Sequence, residues 1–362
     1  MSRFAILDSP PAPVGDMRHA AFFPGLAAPE SAAGASRLVD SFGRRLTYLR
    51  VSVTDRCNLR CTYCLPEGVE FPFGDRAFLS ADEIETIVGA LVRLGIRRVR
   101  LTGGEPLVRR DILEIARRIK ALPGVENLAL STNGTELERL APALKEAGVD
   151  RVNVSLDSLD SKVFQEITRR GELQQVWRGV EAALEAGLHP VKLNTVLLED
   201  NEADVERLAA LTLDRPLAVR FIEFMRTEVN RHLPQDLPLA DAVRDRLEAR
   251  FGPLEPAEPA GPRTGPAKAF RFPGAAGTVG FITPLSHTFC ADCNRLRLSA
   301  RGELRLCLFA DRVHPLRHLL AGPDPDSALE AEILRVLEDK PAEHMLRQGD
   351  SGNLASFMQI GG

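Results

Sequence analysis

The chain has 362 residues, of which 44% are hydrophobic and 27% are charged, a composition typical of globular proteins with one large domain or two moderate ones. Its net charge of −4 argues against a general nucleic-acid coat, and the lack of any run of about 18 apolar residues argues against a membrane span. Arginine is nevertheless concentrated in segments 93–110 and 295–305. Such clusters favour a small anionic ligand, with solvated surface charge as the other interpretation.

The six cysteines form two groups of three. The first group is Cys57, Cys61 and Cys64, and the second is Cys290, Cys293 and Cys307. In a chain this long without a secretory signal, the pattern favours metal binding in a reducing compartment over disulfides. Three thiolates hold an iron–sulfur cube and leave one iron open, whereas structural zinc prefers four closed ligands. Zinc stays an alternative for the second group, where His287 would have to complete the site.

Residues 1–40 are rich in Ala, Pro, Ser and Gly and lack a regular period, so we expect a mobile extension there. A capping-box sequence at Ser80–Glu83 predicts the start of a helix that ends at Gly95. Further helices are predicted at Asp111–Leu122, Glu136–Ala147, Leu173–Ala186, Glu202–Leu211 and Leu239–Phe251. Strands are predicted at Leu46–Val53, Arg97–Leu101, Asn127–Ser131, Arg151–Leu156, Val191–Leu197 and Leu217–Phe224.

Six strand–helix units predict an α/β fold with parallel strands, a partial (β/α)6 barrel of the TIM type over residues 41–251. A flavodoxin-like doubly wound sheet gives a similar pattern and stays open. We expect residues 252–362 to form a C-terminal subdomain with a second iron–sulfur cluster. This segment is predicted to contain a linker at Pro253–Pro273, a strand at Thr278–Ile282, two strands within Arg295–Leu306 that turn at Arg301–Gly302, and helices at Pro315–Leu320 and Ala328–Glu338.

The first cysteine group, with Tyr63 before its last member and Thr102–Pro106 downstream, resembles radical S-adenosylmethionine (SAM) enzymes. When the segment Cys290–Arg297, Cys307 and the terminal pair Gly361–Gly362 are added, the chain is similar to the GTP 3′,8-cyclase family within that superfamily. The likeness extends from about Arg45 to Gly362. It implies a lyase for the first step of molybdenum cofactor biosynthesis.

The resemblance also implies the cofactors and their ligands, which are two 4Fe–4S clusters and SAM. The first cysteine group would bind the cluster that takes SAM, and the open iron of the second would bind the guanine ring. By position, the residues expected to contact SAM are Tyr63, Gly104, Ser155 and Met225. Those expected to contact GTP are Arg50, Arg100, Ser131, Lys192, Arg295, Leu296 and Arg297. Gly361 and Gly362 are expected to enter the active site and to act in catalysis with the first cysteine group, Arg295 and Arg297.

In the reaction that the resemblance implies, SAM is cleaved to methionine and a 5′-deoxyadenosyl radical that removes hydrogen from C3′ of GTP. The carbon radical then attacks C8, which leads to (8S)-3′,8-cyclo-7,8-dihydroguanosine 5′-triphosphate. Expected partners are a flavodoxin- or ferredoxin-like electron donor, the cyclic pyranopterin monophosphate synthase that consumes the product, and a second copy in a homodimer. We expect a cytoplasmic enzyme with no nucleic-acid or membrane partner.

Two other functions stay open at the level of sequence. A peptide-modifying radical SAM enzyme also carries additional clusters, although it usually needs more cysteines in its C-terminal part. A zinc-binding nucleic-acid module explains the cysteines and arginines together, but not the repeated strand–helix units. Two acidic residues at strand ends, Asp157 and Glu223, are interpreted as polar supports.

Overall fold

The computed structural model describes residues 36–65, 78–234, 237–258, 265–349, 351–352, 354 and 356–360. Most of the predicted N-terminal extension and the Gly361–Gly362 pair lie outside these residues. No helix in the described part is long and apolar enough to cross a membrane.

Six parallel strands form the centre of the sheet and neighbour one another in chain order. They are β1 (Tyr48–Ser52), β2 (Arg98–Thr102), β3 (Asn127–Thr132), β4 (Arg151–Ser155), β5 (Lys192–Val196) and β6 (Ala218–Ile222). The sequential order confirms the partial barrel. It excludes the flavodoxin-like alternative, because a doubly wound sheet reverses its strand order at a switch point.

Helices alternate with these strands and cover the outer face of the sheet. They are α1 (Ala81–Leu94), α2 (Ile112–Ala121), α3 (Leu137–Glu146), α4 (Ser161–Thr168), α5 (Leu173–Glu185), α6 (Val205–Asp214), α7 (Ala240–Phe251) and α8 (Pro325–Val336). The capping box is confirmed, since Ser80 Oγ accepts from the Glu83 amide at 3.1 Å and the Glu83 carboxylate accepts from the Ser80 amide at 2.8 Å. Helix α4 is not among the predicted elements, because its eight residues are too few for a clear period.

The two faces of the strands differ in chemistry, and this difference sets the positions of core and site. Side chains at alternate positions, such as Leu49, Val51 and Leu101, are fully buried and belong to the main hydrophobic core. The positions between them point to the opposite face. Polar residues such as Arg50 and Arg100 occupy those positions, so the interior of the open barrel is polar.

The C-terminal part of the chain extends the same sheet at both edges. Its strands are β7 (Glu255–Pro256), β8 (Lys268–Arg271), β9 (Thr278–Ile282), β10 (Arg295–Leu298), β11 (Glu303–Arg305) and β12 (His314–Pro315). Strand β9 pairs in parallel with β6, and β10 pairs in parallel with β1. Eight parallel strands therefore lie side by side, and within the described residues the sheet stays open between β9 and β10.

The prediction of an irregular linker over Pro253–Pro273 is wrong for part of that range. Strand β8 lies there and pairs antiparallel with β9. The many Pro, Gly and Ala residues in this range give no strand pattern in the sequence. The strand is stabilised by Phe270, which is 5% exposed and whose ring centroid lies 5.9 Å from that of Phe281. The predicted turn at Arg301–Gly302 is confirmed, with Gly302 at φ +84°. The predicted helix Pro315–Leu320 is a short 3-10 helix at Arg317–Ala321.

Replacement of the capping serine, Ser80→Ala, should lower the free energy of unfolding by about 1 kcal/mol. The first turn of α1 loses the side-chain acceptor of its Glu83 amide. Urea denaturation of the two proteins measures the effect. Ser80→Thr keeps a hydroxyl and serves as the control. Equal stability of the alanine and threonine variants would contradict the role of the cap.

Candidate active site

The first cysteine loop follows β1 at the carboxyl end of the barrel strands. Its main chain is attached to the end of α4, since the amide of Arg60 donates to the Thr168 carbonyl at 3.1 Å and that of Thr62 donates to the Ile167 carbonyl at 2.9 Å. The Cys64 amide donates to the Cys61 carbonyl at 3.0 Å, which closes a turn between these two thiols. The loop is therefore held in shape by main-chain contacts on both sides of Cys61.

The surroundings of the three thiols in this loop disfavour the thiolate form. A positively charged centre among them would stabilise that form. Burial raises the pKa of Cys64 to about 12, and the neighbouring thiol of Cys57 adds to the shift. Burial, then Cys64, raises the pKa of Cys61 in the same way. Among the described residues no three Cys, His, Asp or Glu side chains are close enough to hold one ion. A 4Fe–4S cube instead offers each thiolate a different iron, so the donor set fits a cluster.

The Gly103–Gly104 pair lies against the main chain of the cysteine loop. A Cβ atom on Gly103 would lie 2.2 Å from the Thr54 carbonyl oxygen, and one on Gly104 would lie 2.4 Å from that of Arg56. The Gly104 amide donates to the Thr54 carbonyl at 2.8 Å. Close packing of two main chains thus requires both glycines. The predicted contact of Gly104 with SAM stays a prediction.

Glu105, which follows this pair, is a buried support that is not among the predicted site residues. Its carboxylate accepts from the amides of Leu107 at 2.9 Å and Asn133 at 2.6 Å, and from Thr132 Oγ1 at 2.8 Å. Asn133 Nδ2 in turn lies 3.9 Å from Cys57 Sγ. Burial raises the pKa of Glu105 to about 7. The residue connects the ends of β2 and β3 to the first cysteine.

The residues expected to contact SAM surround the same strand ends. The Tyr63 hydroxyl donates to Asp157 Oδ2 at 2.7 Å, while Asp157 Oδ1 accepts from the Val196 amide. Asn230 Nδ2 donates to the carbonyls of Tyr63 at 2.8 Å and Met225 at 3.3 Å, which brings these two predicted residues together. Ser155 is exposed at the end of β4. The interpretation of Asp157 as a polar support is confirmed.

The second strand-end carboxylate, Glu223, has a similar supporting role. It is fully buried and accepts from the amides of Ala240 at 3.2 Å, Leu285 at 2.9 Å and Ser286 at 3.0 Å. These contacts join the end of β6 to the start of α7 and to the loop after β9. Glu223 is therefore confirmed as a support.

A row of cations crosses the barrel interior. In the strand register Arg297 lies beside Arg50, Arg50 beside Arg100, Arg100 beside Ala129, and Ala129 beside Arg151. A second row contains Ser131, Asn153 and Lys192. The predicted GTP residues of β1, β2, β3, β5 and β10 are thus brought to one lumen. Leu296 is the exception, because its side chain is fully buried in the core on the opposite face of β10.

These cations are buried close to one another. Desolvation, with Arg220 and Arg151 next, lowers the pKa of Lys192 to about 5, and desolvation lowers that of Arg220 to about 9. Within the described residues, the buried Nε atoms of Arg50 and Arg100 have no hydrogen-bond partner. Buried cations that repel one another and keep spare donors form a site for a polyanion.

Arg151, Asn153 and Arg220 line this lumen but are not among the residues predicted from the sequence. In β4 Arg151 and Asn153 alternate with Val152 and Val154, and in β6 Arg220 interrupts an otherwise apolar strand at an inward position. The period of two in β4 and β6 is therefore the signal that locates them.

The second cysteine group lies at the amino end of β10, in cationic surroundings. Although burial raises the pKa of the Cys293 thiol, the charges of Arg295 and Lys340 outweigh it and bring the pKa to about 6. The Cys290 carbonyl accepts from Arg44 Nη1 at 2.9 Å. His287 Nε2 lies 3.1 Å from Asp241, and this contact gives no support to the zinc alternative in which His287 is a ligand.

The two cysteine groups lie at opposite ends of the lumen. Strand β10 is parallel to β1, with Arg295 beside Tyr48. Cys293 precedes β10 and Cys57 follows β1, so one group is at each end of the strands. Strand β11 runs antiparallel, with Arg305 beside Arg297, and returns Cys307 toward Cys293. The cationic rows therefore lie between the two groups.

The residues before the C-terminal pair pack against the first cysteine loop. Ser356 Oγ donates to the Cys64 carbonyl at 2.7 Å. Leu354 and Ile360 belong to a small apolar cluster with Phe309, against which Met225 packs. Gly361 and Gly362 themselves lie outside the described residues.

The family of this chain is shown by its similarity to known proteins. Residues 51–212 match the model of the radical SAM superfamily, and residues 217–346 match the Molybdenum Cofactor Synthesis C model. A relative from Pelotomaculum thermopropionicum, named GTP 3′,8-cyclase, is 48% identical over 89% of this chain and 99% of its own length. One from Geobacter sulfurreducens with the same name is 46% identical over 90% and 99%. The chain belongs to the GTP 3′,8-cyclase family.

Radical SAM enzymes of this family use 4Fe–4S clusters and SAM, which are the cofactors expected from the sequence. Among solved structures, Streptococcus suis SuiB bound to S-adenosylmethionine matches with a TM-score of 0.58 over 84% of this chain and 67% of that one. SuiB bound to the precursor peptide SuiA matches equally well. At 16% identity these likenesses show the fold alone. They agree with the α/β barrel described above.

Gly104→Ala should prevent the first cysteine loop from taking up iron, because the added methyl group meets the Arg56 main chain. The measurement is the iron and sulfide content of protein prepared and reconstituted without oxygen. We expect the variant to lose the iron of the first site and to keep that of the second. Gly322→Ala is the control, since its Cβ would lie 3.5 Å from the nearest atom and its φ is −75°. Wild-type iron content in Gly104→Ala would contradict the packing role.

Proposed function

We propose that the chain is a GTP 3′,8-cyclase, which joins C3′ of the ribose to C8 of the guanine in the first step of molybdenum cofactor biosynthesis. Its product is then (8S)-3′,8-cyclo-7,8-dihydroguanosine 5′-triphosphate. The observation that carries the proposal is the buried cationic lumen between two groups of three thiols. A nucleoside triphosphate supplies the negative charge that this lumen lacks, and 48% identity to a protein named GTP 3′,8-cyclase supports GTP.

The cations of the lumen bind the triphosphate in this proposal. Arginine forks match phosphate oxygens, and the row keeps several of them on one face. The proposed set comprises Arg50, Arg100, Ser131, Lys192, Arg295 and Arg297, and we include Arg151 and Arg220 because they line the same lumen. Leu296 contributes through its main chain, because its side chain faces the core. Arg295 lies nearest the second cysteine group and orients the guanine end there.

The cysteines hold the cofactors in this proposal, Cys57, Cys61 and Cys64 at one end and Cys290, Cys293 and Cys307 at the other. When bound, the first cluster and SAM supply the radical chemistry that removes a hydrogen atom from the nucleotide. We assign SAM contacts to Tyr63, Gly104, Ser155 and Met225. Asp157 fixes the Tyr63 hydroxyl, and Asn230 fixes the main chain of Tyr63 and Met225. Orientation is the main contribution of the protein, because a carbon radical reacts with the first hydrogen it meets.

The C-terminal pair Gly361–Gly362 is proposed to act in the active site. The hydrogen bond from Ser356 to the Cys64 carbonyl, shortly before the pair in the chain, supports this proposal. We also keep the division into a barrel over 41–251 and a C-terminal subdomain over 252–362 as a proposal.

Further partners are proposed from the chemistry of the reaction. A one-electron donor of the flavodoxin or ferredoxin type reduces the first cluster, and cyclic pyranopterin monophosphate synthase consumes the product. We also propose a homodimer. None of the six cysteines forms a disulfide, which favours a reducing compartment such as the cytoplasm.

The activity is tested by incubation of anaerobically reconstituted protein with SAM, reductant and GTP. Detection of 5′-deoxyadenosine together with the cyclised nucleotide supports the cyclase, and Arg100→Ala tests the lumen. Loss of one charged hydrogen-bonding side chain should raise the KM for GTP by about tenfold or more. Reductive cleavage of SAM should continue in this variant.

Arg139→Ala is the matched control, because Arg139 pairs with Glu136 on the outer surface. We expect it to leave the KM for GTP unchanged. Wild-type KM in Arg100→Ala would argue against triphosphate in the lumen. SAM cleavage that depends on a peptide rather than on GTP would favour the peptide-modifying alternative.

Binding of GTP should take up a proton near pH 7. The pKa of Lys192 is about 5 in the free protein, so the amine is neutral there, and adjacent phosphates raise it. Calorimetry in two buffers of different ionisation enthalpy measures the uptake, which Lys192→Met should abolish. Between about pH 5 and 10.5 Lys192 is neutral in the folded state and protonated in the unfolded chain, so its own contribution to the free energy of unfolding rises with pH in this window. Binding without proton uptake would remove Lys192 from the phosphate site.

A further inference from the structure

Lys340 is a buried lysine within the second cysteine group and has no role in the function proposed above. Only 3% of the surface of this residue is exposed to solvent. The amine donates to the Leu306 carbonyl, to the Arg295 carbonyl at 3.3 Å and to Cys293 Sγ at 3.9 Å. Three acceptors match the three N–H donors of a protonated ammonium, whereas a neutral amine has two.

These contacts connect the segments that carry the cysteines. Leu306 immediately precedes Cys307, and Arg295 follows Cys293 by two residues. The lysine therefore contacts β10 beside one cysteine and the end of β11 beside another. Its ammonium fixes the separation of the two segments and places a positive charge against the thiol of Cys293.

Arg44 holds Lys340 in this position from the other side. Its guanidinium donates to the carbonyls of Pro341 at 2.6 Å and Ala342 at 2.7 Å, directly after the lysine, and also to that of Cys290 at 2.9 Å. Asp40 accepts from Arg44 Nε at 2.6 Å and balances its charge. Lys340 itself contacts no carboxylate among the described residues, so its charge acts on the cysteine group.

The first cysteine group has different supports. Buried carboxylates lie near it, since Glu105 accepts from the Asn133 amide and Asp157 accepts from the Tyr63 hydroxyl, while Arg60 Nη1 donates to the Cys57 carbonyl at 2.8 Å. At the second group the Lys340 ammonium lies 3.9 Å from Cys293 Sγ. The reduction potential of an iron–sulfur cluster depends on local charge, on hydrogen bonds to its sulfurs and on exposure to solvent. The two ends of the lumen therefore differ in the property that sets the potential.

We propose that Lys340 is a positioning residue for the second cluster. The ammonium group of Lys340 stabilises the reduced form of the cluster and thereby raises the reduction potential of the cluster. One-electron reduction adds one negative charge to the cluster, and an adjacent fixed positive charge lowers the energy of that state. Removal of the charge therefore shifts the potential to more negative values. The proposal rests on the second cluster of the proposed function.

The experiment uses the full chain with both clusters reconstituted without oxygen, in the variants Lys340→Met and Lys340→Arg. Redox titration followed by electron paramagnetic resonance measures the midpoint potential of each cluster. A variant with Cys57, Cys61 and Cys64 replaced by Ala identifies the signal of the second cluster. Lys145→Met is the matched control, because this exposed lysine donates to the Gly187 carbonyl on the outer surface.

We expect Lys340→Met to shift the second potential to more negative values and to leave the first unchanged. Lys340→Arg should stay close to wild type, and Lys145→Met should change neither potential. Full iron content with an unshifted potential in Lys340→Met overturns the proposal. If Lys340→Met loses the iron of the second site, retention of iron and potential by Lys340→Arg supports the charge, whereas loss in both variants overturns it. A wild-type protein without a second cluster contradicts the proposed function itself, which is a distinguishable result.

Discussion

The structure depends on strands that carry cations on one face and apolar side chains on the other. Arg50 alternates with Leu49 and Val51, and Arg100 alternates with Val99 and Leu101. Burial of a charge without a partner is unfavourable, and here the apolar faces compensate by packing on the helical layer. The interior is thus prepared for an anion before one binds. In the proposed function the triphosphate neutralises charges that the fold has already fixed in place, so little reorganisation is required on binding.

The parallel arrangement of the strands gives the lumen two different ends. Because β10 joins the sheet beside β1 in parallel, the segment before it and the loop after β1 lie at opposite ends of the lumen. Radical chemistry begins at one end, and the other end holds the base of the nucleotide in the proposed function. The distance between the ends is the length of the strands, which rigid hydrogen bonding keeps constant.

Side chains that are not ligands hold the two cysteine groups, and they differ in charge. Glu105 supports the first group through Asn133, and Asp157 does so through Tyr63. Lys340 and Arg44 hold the main chain of the second group. These supports place carboxyl groups near the first group and cations near the second. In the proposed function one cluster donates an electron and the other binds a base, and the supports differ accordingly.

Much of this protein was determined by the sequence alone, because the signals are local. Cysteine spacing, the capping box at Ser80 and the strand–helix alternation depend on residues close in the chain, and they predict the six-unit barrel and both cysteine groups. Only the tertiary structure decided which residues share the lumen. Arg151 and Arg220 join it through strand register, Lys340 reaches Cys293 across 47 positions of sequence, and β8 forms because Phe270 finds Phe281. Such contacts depend on which strands pair and on the side chains that burial brings together, and a local pattern contains neither.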